Sequence, residues 1–260
     1  MLQKRRLGQT DIEVSVIGLG TVKIGRNQAV KYPAAFSLPS NKEVADLLAI
    51  ASTLGINLID TAPAYGTSEE RLGNLLQANR HDWVICTKVG EEFSNGESHF
   101  DFSERHIIQS IERSLKRLQT DYLDIVLVHS NGDDQMIIEQ EKVFSSLEKF
   151  KTAGKIRAFG MSTKTVAGGL MTVASSDVAM VTYHPNYQDE REVIAKAYEK
   201  QKGIFIKKAF ASGHLVKAQS IAATLEFILA EKGVTSVIIG TINPEHLREN
   251  VVVLEKALIA

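Results

Sequence analysis

The chain has 260 residues, of which 44% are hydrophobic and 23% are charged, proportions that exclude disordered, collagen-like and fibrous classes. Thirty Lys and Arg residues against 31 Asp and Glu residues leave a net charge of −1, so no basic excess favours binding to a nucleic acid or an anionic membrane. The sequence has no apolar run of the ~18 residues needed to span a membrane and no apolar secretory signal. A lone cysteine, Cys86, cannot form an internal disulfide. We expect a cytoplasmic protein.

The predicted elements begin with a hairpin, in which residues 5–7 and 13–15 flank a polar turn. Short runs rich in Val and Ile follow, of the kind typical of parallel strands buried on both faces. They cover residues 16–22, 57–62, 83–89, 123–129, 156–162, 178–183, 203–209 and 235–240.

Helical periodicity fills the intervals between these runs. It is found at residues 41–54, 69–77, 103–118, 136–153, 189–202 and 222–232. Eight strand–helix alternations without a linker favour an α/β fold of the (β/α)8 TIM-barrel type, as a single domain over residues 1–260. The alternation by itself is also compatible with an open doubly wound sheet.

Polar side chains stand at the ends of three successive predicted strands. Asp60 and Tyr65 follow the second strand, Lys88 ends the third and His129 ends the fourth, and barrels of this type carry their functional residues at such strand ends. An ammonium beside a phenol stabilises the phenolate and lowers the pKa of the phenol, and a carboxylate can hold that ammonium in place. The imidazole can orient a carbonyl. The set predicts a site that protonates a carbonyl oxygen while a hydride reaches its carbon.

In these and other segments the sequence resembles the aldo-keto reductases, from about Leu7 to Leu254. The matching segments are residues 18–21, 55–66, 68–73, 87–88, 114–118, 120–124, 129, 154–157 and 243–250. The resemblance implies a barrel whose base is closed by the N-terminal β-hairpin. It also implies an NAD(P)H-dependent enzyme that reduces an aldehyde or ketone to an alcohol. Its catalytic tetrad would be Asp60, Tyr65, Lys88 and His129, with Tyr65 as the proton donor. We expect a small-molecule carbonyl substrate, no metal, and a monomer or weak oligomer.

The loops after the seventh and eighth strands are the candidate cofactor site, because barrels commonly bind phosphate there. Small residues at 209–215 would let backbone N–H groups approach a pyrophosphate, and Asn243 and Pro244 start a helix whose N-terminus favours an anion. Residues 18–23 lack the third glycine of a Rossmann fingerprint, and no helix is predicted to start there. The loops and the resemblance together imply cofactor contacts at Gly20, Thr21, Asp60, Ser162, Thr163, Met180, Lys207, Ala209, Phe210, Ser212, Gly213, Leu215, Gly240, Thr241, Asn243, His246, Glu249 and Asn250.

Several of these positions depart from the family's pattern. Thr163 stands where Asn is frequent and Met180 where Gln is frequent, and at Lys207 many members stack an aromatic ring on the nicotinamide. Gly240 and His246 stand where many members contact the 2′-phosphate with a basic residue. A phosphate without a fixed cation binds less strongly. The resemblance favours NADP(H), and NAD(H) stays open.

The substrate walls are assigned to residues 22–39, including Tyr32, Phe36 and Leu38, to the loop 91–102, and to Trp83. Two other functions fit the same residues. One is a nucleotide-binding redox sensor or regulatory subunit with little turnover. The other is a cofactor-free lyase or isomerase that uses Lys88 as a Schiff-base amine.

Overall fold

The computed structural model describes residues 2–211 and 221–259, with the side chains of the last helix as far as Glu255. The described strands are β1 (Lys4–Arg6), β2 (Glu13–Ser15), β3 (Ile17–Gly20), β4 (Leu58–Asp60), β5 (Val84–Val89), β6 (Glu91–Ser94), β7 (Glu97–Phe100), β8 (Leu123–His129), β9 (Ile156–Ser162), β10 (Val178–Thr182), β11 (Gly203–Lys207) and β12 (Ser236–Ile239). The described α-helices are α1 (Val22–Gly25), α2 (Asn41–Thr53), α3 (Ser68–Leu76), α4 (Glu104–Leu118), α5 (Asp134–Glu139), α6 (Val143–Thr152), α7 (Val166–Ser175), α8 (Arg191–Glu199), α9 (Ile221–Leu229) and α10 (Pro244–Ile259). Two 3₁₀ helices cover Pro63–Tyr65 and Gln77–Asp82. None of the described helices combines the length and the apolar character needed to span a membrane.

Within the described residues, eight parallel strands close into a barrel in the order β3, β4, β5, β8, β9, β10, β11, β12. The ring closes because the last strand pairs with the first, with Val237 opposite Ile17. The predicted (β/α)8 TIM barrel is therefore confirmed, and the open doubly wound sheet is excluded. Parallel strands place all their carboxyl ends at one mouth of the barrel, which is where the polar strand ends of the sequence must meet.

The N-terminal hairpin, formed by β1 and β2, covers the amino-terminal mouth of the barrel. Its buried residues Leu7, Ile12 and Val14 pack in one cluster with side chains at the beginnings of the barrel strands, such as Leu58. A Cβ on Gly203, the first residue of β11, would lie 2.2 Å from Leu7 Cδ1, so a larger residue there would displace the Leu7 side chain. The hairpin closes the base as expected, and the opposite mouth carries the site.

The structure divides the predicted helix 136–153 into α5 and α6. Lys142, between them, has a left-handed backbone with φ 52°. The start of α5 is anchored to the next βα loop, because the Asp134 carboxylate accepts hydrogen bonds from the backbone N–H groups of Lys164 and Thr165. The apolar periodicity continues through the break, so it did not reveal the change in direction.

Two further segments differ from the prediction. The loop 91–102 contains an antiparallel hairpin of β6 and β7, with Asn95 and Gly96 in its turn at φ 54° and 85°. Asn-Gly is a strong signal for a two-residue hairpin turn, and the sequence analysis did not use it. A helix does start after β3, contrary to prediction, but α1 is a single turn. The closed barrel, rather than the length of α1, now rules out a Rossmann fold.

Candidate active site

The four tetrad candidates lie together at the carboxyl mouth of the barrel. Asp60 is the last residue of β4, Lys88 lies near the end of β5, and His129 is the last residue of β8. Tyr65 ends the 3₁₀ helix that follows β4. All four side chains line one cleft of about 410 Å³. The strand ends that the sequence singled out are thus brought to one site.

Lys88 and Asp60 form a buried ion pair at the bottom of the cleft. Lys88 Nζ lies 2.5 Å from Asp60 Oδ1, and the two side chains are 1% and 6% exposed. The ammonium also donates a hydrogen bond to the carbonyl oxygen of Thr61, at 2.9 Å. Burial alone would lower the pKa of Lys88, but the negative charge of Asp60 opposes it and the pKa of Lys88 is raised. Lys88 therefore stays a cation in a dry setting, as a buried charge with a hydrogen-bonded partner can.

Tyr65 lies beside this ammonium, with Lys88 Nζ 4.9 Å from the centre of the phenol ring. Burial raises the pKa of Tyr65, and the opposing effect of Lys88 does not cancel it. The pKa is therefore raised, not lowered as the sequence predicts: Lys88 does lower it, but desolvation has the larger effect. Tyr65 consequently keeps its proton at neutral pH, and Lys88 is placed to stabilise the phenolate if that proton leaves.

Three hydroxyl groups behind the site hold the end of β4. Thr21 Oγ1 donates to the carbonyl oxygen of Asp60 at 2.8 Å, Ser68 Oγ donates to Thr21 Oγ1 at 2.8 Å, and Thr61 Oγ1 donates to Ser68 Oγ at 3.0 Å. All three residues are buried. Thr21, one of the predicted cofactor residues, uses its side chain to hold the strand end that bears Asp60.

His129 contacts a carboxylate that the sequence analysis did not identify. Its Nδ1 lies 2.6 Å from Glu91 Oε2, off the line of a straight N–H hydrogen bond, so the contact is mainly electrostatic. Ser98 Oγ donates to Glu91 Oε1 at 2.7 Å across the β6–β7 hairpin. The His129 ring meets the Tyr65 ring edge-on, with 6.1 Å between the ring centres. Glu91 is thus a member of the site, and the Asn95–Gly96 turn is the sequence signal that could have placed it.

The cleft is strongly cationic although the whole chain is almost neutral. Two carboxylates line it, Asp60 and Glu91, and each already contacts a cationic or titratable partner. The basic side chains that line it are Lys23, Arg26, Lys31, Lys88, Lys164, Lys207 and Lys208. Such a one-sided set of charges favours an anionic ligand.

Lys207 is a second strongly perturbed cation of this cleft, and its pKa moves in the direction opposite to that of Lys88. Its ammonium donates to Ser162 Oγ at 2.9 Å and to the carbonyl oxygen of Thr163. Burial lowers the pKa of Lys207 to about 7, against the opposing charge of Glu190. The neighbouring Lys208 also has a lowered pKa, because of burial and the nearby ammonium of Lys31.

The predicted cofactor residues fall into three groups. Those that line the cleft are Gly20, Asp60, Ser162, Met180, Lys207, Ala209, Phe210 and Gly240. Those that the structure describes away from the cleft lining are Thr21, Thr163, Thr241, Asn243, His246, Glu249 and Asn250. Ser212, Gly213 and Leu215 lie outside the described residues.

The start of α10 does not present the free N–H groups that the sequence suggested. Asn243 is its N-cap as predicted, and its Oδ1 accepts from the backbone N–H groups of Glu245 at 2.9 Å and His246 at 3.5 Å. Pro244 has no N–H. An anion at this helix start would have to displace the Asn243 side chain.

The predicted substrate walls are placed in part. Tyr32 lines the cleft, and its hydroxyl lies 3.2 Å from where a Cβ on Gly240 would stand, so the segment after α1 crosses towards β12. Phe36 packs edge-on against Tyr32, with ring centres 5.7 Å apart. Leu38 is outside the cleft lining. Trp83 was wrongly included as a wall: it is buried just before β5, at the closed end of the barrel.

These residues fit a nicotinamide dinucleotide. Ser162 and Met180 from neighbouring strands, with Ala209 and Phe210 after β11, form an apolar and small-residue wall. Lys164 and Lys208, with no ion-pair partner among the described residues, supply cations to a phosphate. The cleft therefore suits a ligand that has a planar polar ring at one end, like nicotinamide, and negatively charged phosphates in its centre.

Comparison with known proteins agrees with this geometry. A model of the Aldo/keto reductase family matches residues 16–221. A solved structure from Pseudomonas aeruginosa assigned to the aldo-keto reductases is 51% identical, with a TM-score of 0.91, and the match covers 98% of this chain and 95% of that chain. L-galactose dehydrogenase of Arabidopsis thaliana is 29% identical over 96% of this chain and 87% of its own length. The oxidoreductase YqkF of Bacillus subtilis, itself uncharacterised, is 27% identical over 96% and 90%. The chain therefore belongs to the aldo/keto reductase family of oxidoreductases.

Proposed function

We propose that the protein reduces an aldehyde or ketone to an alcohol with NADPH or NADH, and that Tyr65 is the proton donor. The observation that carries this proposal is the buried Lys88–Asp60 ion pair beneath the Tyr65 ring. A protonated phenol beside a permanent ammonium suits delivery of a proton to a carbonyl oxygen.

The cofactor, when bound, supplies the hydride. Ser162 and Met180 would border its nicotinamide end, and Lys208 would face its phosphates. Two features of the site act in opposite directions on the preference for NADPH or NADH. The expected 2′-phosphate positions carry Gly240 and His246, whereas the cationic cleft would favour the additional negative charge.

The chain's own residues then have distinct tasks. Tyr65 Oη gives its proton to the carbonyl oxygen as negative charge develops there. Lys88 stabilises the resulting phenolate, and Asp60 keeps Lys88 in position and charged. His129 forms one side of the space for the carbonyl group, since its ring stands edge-on to Tyr65 in the same cleft.

Tyr65→Phe tests the proposal. We expect the variant to lose at least ~10²-fold in kcat for carbonyl reduction, within the usual contribution of a general acid, while its affinity for NADPH and NADH stays within about twofold. Oxidation of the cofactor with an aromatic aldehyde measures the first quantity, and titration calorimetry measures the second. Equal turnover by the variant and the wild type would rule out the role of Tyr65.

The two alternative functions predict different results. A redox sensor would bind the dinucleotide tightly and show no turnover with a panel of aldehydes and ketones. A Schiff-base enzyme would form an imine between Lys88 and a carbonyl substrate, and borohydride would reduce that imine to a stable adduct in the absence of a dinucleotide. The ion pair disfavours the second alternative, because the raised pKa of Lys88 keeps its amine protonated and not nucleophilic.

A further inference from the structure

We infer that Glu91 is a positioning residue that holds a proton on Nδ1 of His129 and thereby decides which form of His129 can bind a carbonyl. The part of this inference that concerns activity rests on the proposed carbonyl reduction. The part that concerns the proton position does not, because it follows from the contact between the two side chains.

The contact leaves one arrangement of the proton. Glu91 Oε2 lies 2.6 Å from His129 Nδ1, and an anionic oxygen at that distance repels a lone pair on Nδ1 and attracts an N–H there, although the contact is not aligned as a hydrogen bond. Glu91 is ionised at neutral pH. Burial opposes this, but the contact with His129 and the hydrogen bond from Ser98 lower the pKa of Glu91 to about 2. A carboxylate accepts and does not donate, so the proton must be on Nδ1.

The opposite edge of the ring faces the cleft. Nδ1 is fully buried, whereas the His129 side chain as a whole keeps 21% of its surface exposed. His129 also lines the cleft, so the ring nitrogen available to a ligand is Nε2 and not the buried Nδ1. In neutral His129 with its proton on Nδ1, Nε2 is an acceptor.

The neutral and the cationic forms of His129 then bind different ligands, an alcohol and a carbonyl compound respectively. Neutral His129 accepts a hydrogen bond at Nε2 from the hydroxyl group of an alcohol, and it cannot donate one to a carbonyl oxygen. The imidazolium carries an N–H on both nitrogens: the one on Nδ1 lies in ion-pair contact with Glu91, and the one on Nε2 can donate to a carbonyl oxygen. The carbonyl is therefore bound by the cationic form, which the negative charge of Glu91 stabilises.

The groups around His129 set the direction of the pH dependence. Burial, Lys88 and Lys207 disfavour the cation, whereas Glu91 favours it, and together they lower the pKa of His129 below its ordinary value. Tyr65, neutral at these pH values, faces the ring edge-on. The remaining charged groups near the pair are Asp60, which is held by Lys88, and Arg26, whose charge acts on Glu91. Carbonyl reduction should fall as pH rises through the pKa of His129, and alcohol oxidation should rise.

The proton position is measured on the ligand-free protein by ¹⁵N NMR of the imidazole nitrogens. The chain has seven histidines, so the His129 signals are identified by their loss in His129→Gln. At neutral pH we expect the Nδ1–H form in the wild type and a mixture of both forms in Glu91→Gln, whose neutral amide can donate or accept. Glu97→Gln, on the neighbouring strand of the same hairpin, is the control and should match the wild type. An Nε2–H form in the wild type would overturn the inference.

The pH profile of kcat/KM for reduction gives the second measurement. Removal of the Glu91 charge lowers the pKa of His129, so the falling limb in Glu91→Gln should move to lower pH by about one unit, the usual effect of one adjacent charge. At a fixed pH on that limb, this is a loss of about tenfold. Glu91→Asp retains the charge and should restore part of the shift. A pH profile that does not move in Glu91→Gln would contradict the role of Glu91 in carbonyl binding. If the wild type has the Nδ1–H form but no activity, the proposed carbonyl reduction is wrong, whereas the effect of Glu91 on the proton of His129 still holds.

Discussion

A Cβ on Gly66 would lie 2.2 Å from the carbonyl oxygen of Gly25, so the backbone after Tyr65 meets the end of α1 without room for a side chain. Gly66 also has a positive φ of 62°. A Cβ on Gly25 would in turn lie 2.2 Å from the carbonyl oxygen of Tyr65. The position of the phenol therefore depends on two glycines that carry no chemistry themselves.

Gly66→Ala should damage both stability and catalysis. Gly66 has φ 62° and ψ −118°, a sparsely populated backbone region that costs an L residue ~1–3 kcal/mol, and the clash with Gly25 adds to this and displaces Tyr65. We expect a loss of more than ~2 kcal/mol in the free energy of unfolding, measured with urea, and a lower kcat. Gly154→Ala is the matched control: Gly154 has φ 71° but no atom within 4 Å of the added Cβ. It should lose stability from backbone strain alone and keep its kcat. Equal kcat in both variants would contradict the role assigned to Gly66.

Lys88→Met should destabilise the protein as well as inactivate it. The substitution leaves the buried Asp60 carboxylate without its partner, and breaking a buried ion pair in this way costs ~3–5 kcal/mol. In the double variant Asp60→Asn/Lys88→Met the unpaired charge is gone, so much of the stability should return while activity stays absent. Urea unfolding of both variants measures the difference. If the double variant is no more stable than Lys88→Met, the cost does not arise from an uncompensated charge.

Lys207→Met should change the pH dependence of stability. The pKa of Lys207 in the folded protein is about 7, lowered from an ordinary 10.5, so between these values the unfolded chain binds more protons. Wild-type stability should therefore rise with pH in this interval, by up to ~1.4 kcal/mol per unit. The variant lacks this contribution, and its stability relative to the wild type should decrease steadily from pH 7 to pH 10. A difference that is constant with pH would mean that the pKa of Lys207 is not lowered.

Lys164→Gln and Lys208→Gln should weaken the binding of a dinucleotide. Both lysines line the cleft, and losing one exposed charge pair costs up to ~1 kcal/mol, about fivefold in Kd. The effect should be larger at low salt, because exposed charges are screened. Lys200→Gln, at the exposed C-terminus of α8, is the control. Calorimetric titration with NADPH and NADH measures the change, and unaltered affinities would remove these lysines from the cofactor site.

The fold and the meeting of the four polar side chains in one cleft could be predicted because their signals are local. Apolar runs, helical periodicity and the polar residues that end each run can all be recognised within short stretches of sequence. A barrel brings the carboxyl ends of its parallel strands to one mouth regardless of the structure of the loops. Asp60, Lys88 and His129 needed no knowledge of loop structure. The position of Tyr65 near the same strand end could be predicted because it lies only five residues after Asp60 in the sequence.

The remaining features depend on contacts between segments far apart in the chain. Glu91 reaches His129 because a hairpin folds back over the mouth, and Lys31, Lys164 and Lys208 share one cleft because their three loops meet there. The pKa of Tyr65 also changes direction relative to the sequence expectation, since desolvation depends on the surrounding atoms. The order of residues along the strands determined the barrel and its four polar strand ends. The distances between loops and the exclusion of water, which arise only when the barrel closes, decided how those groups are charged and which partners they have.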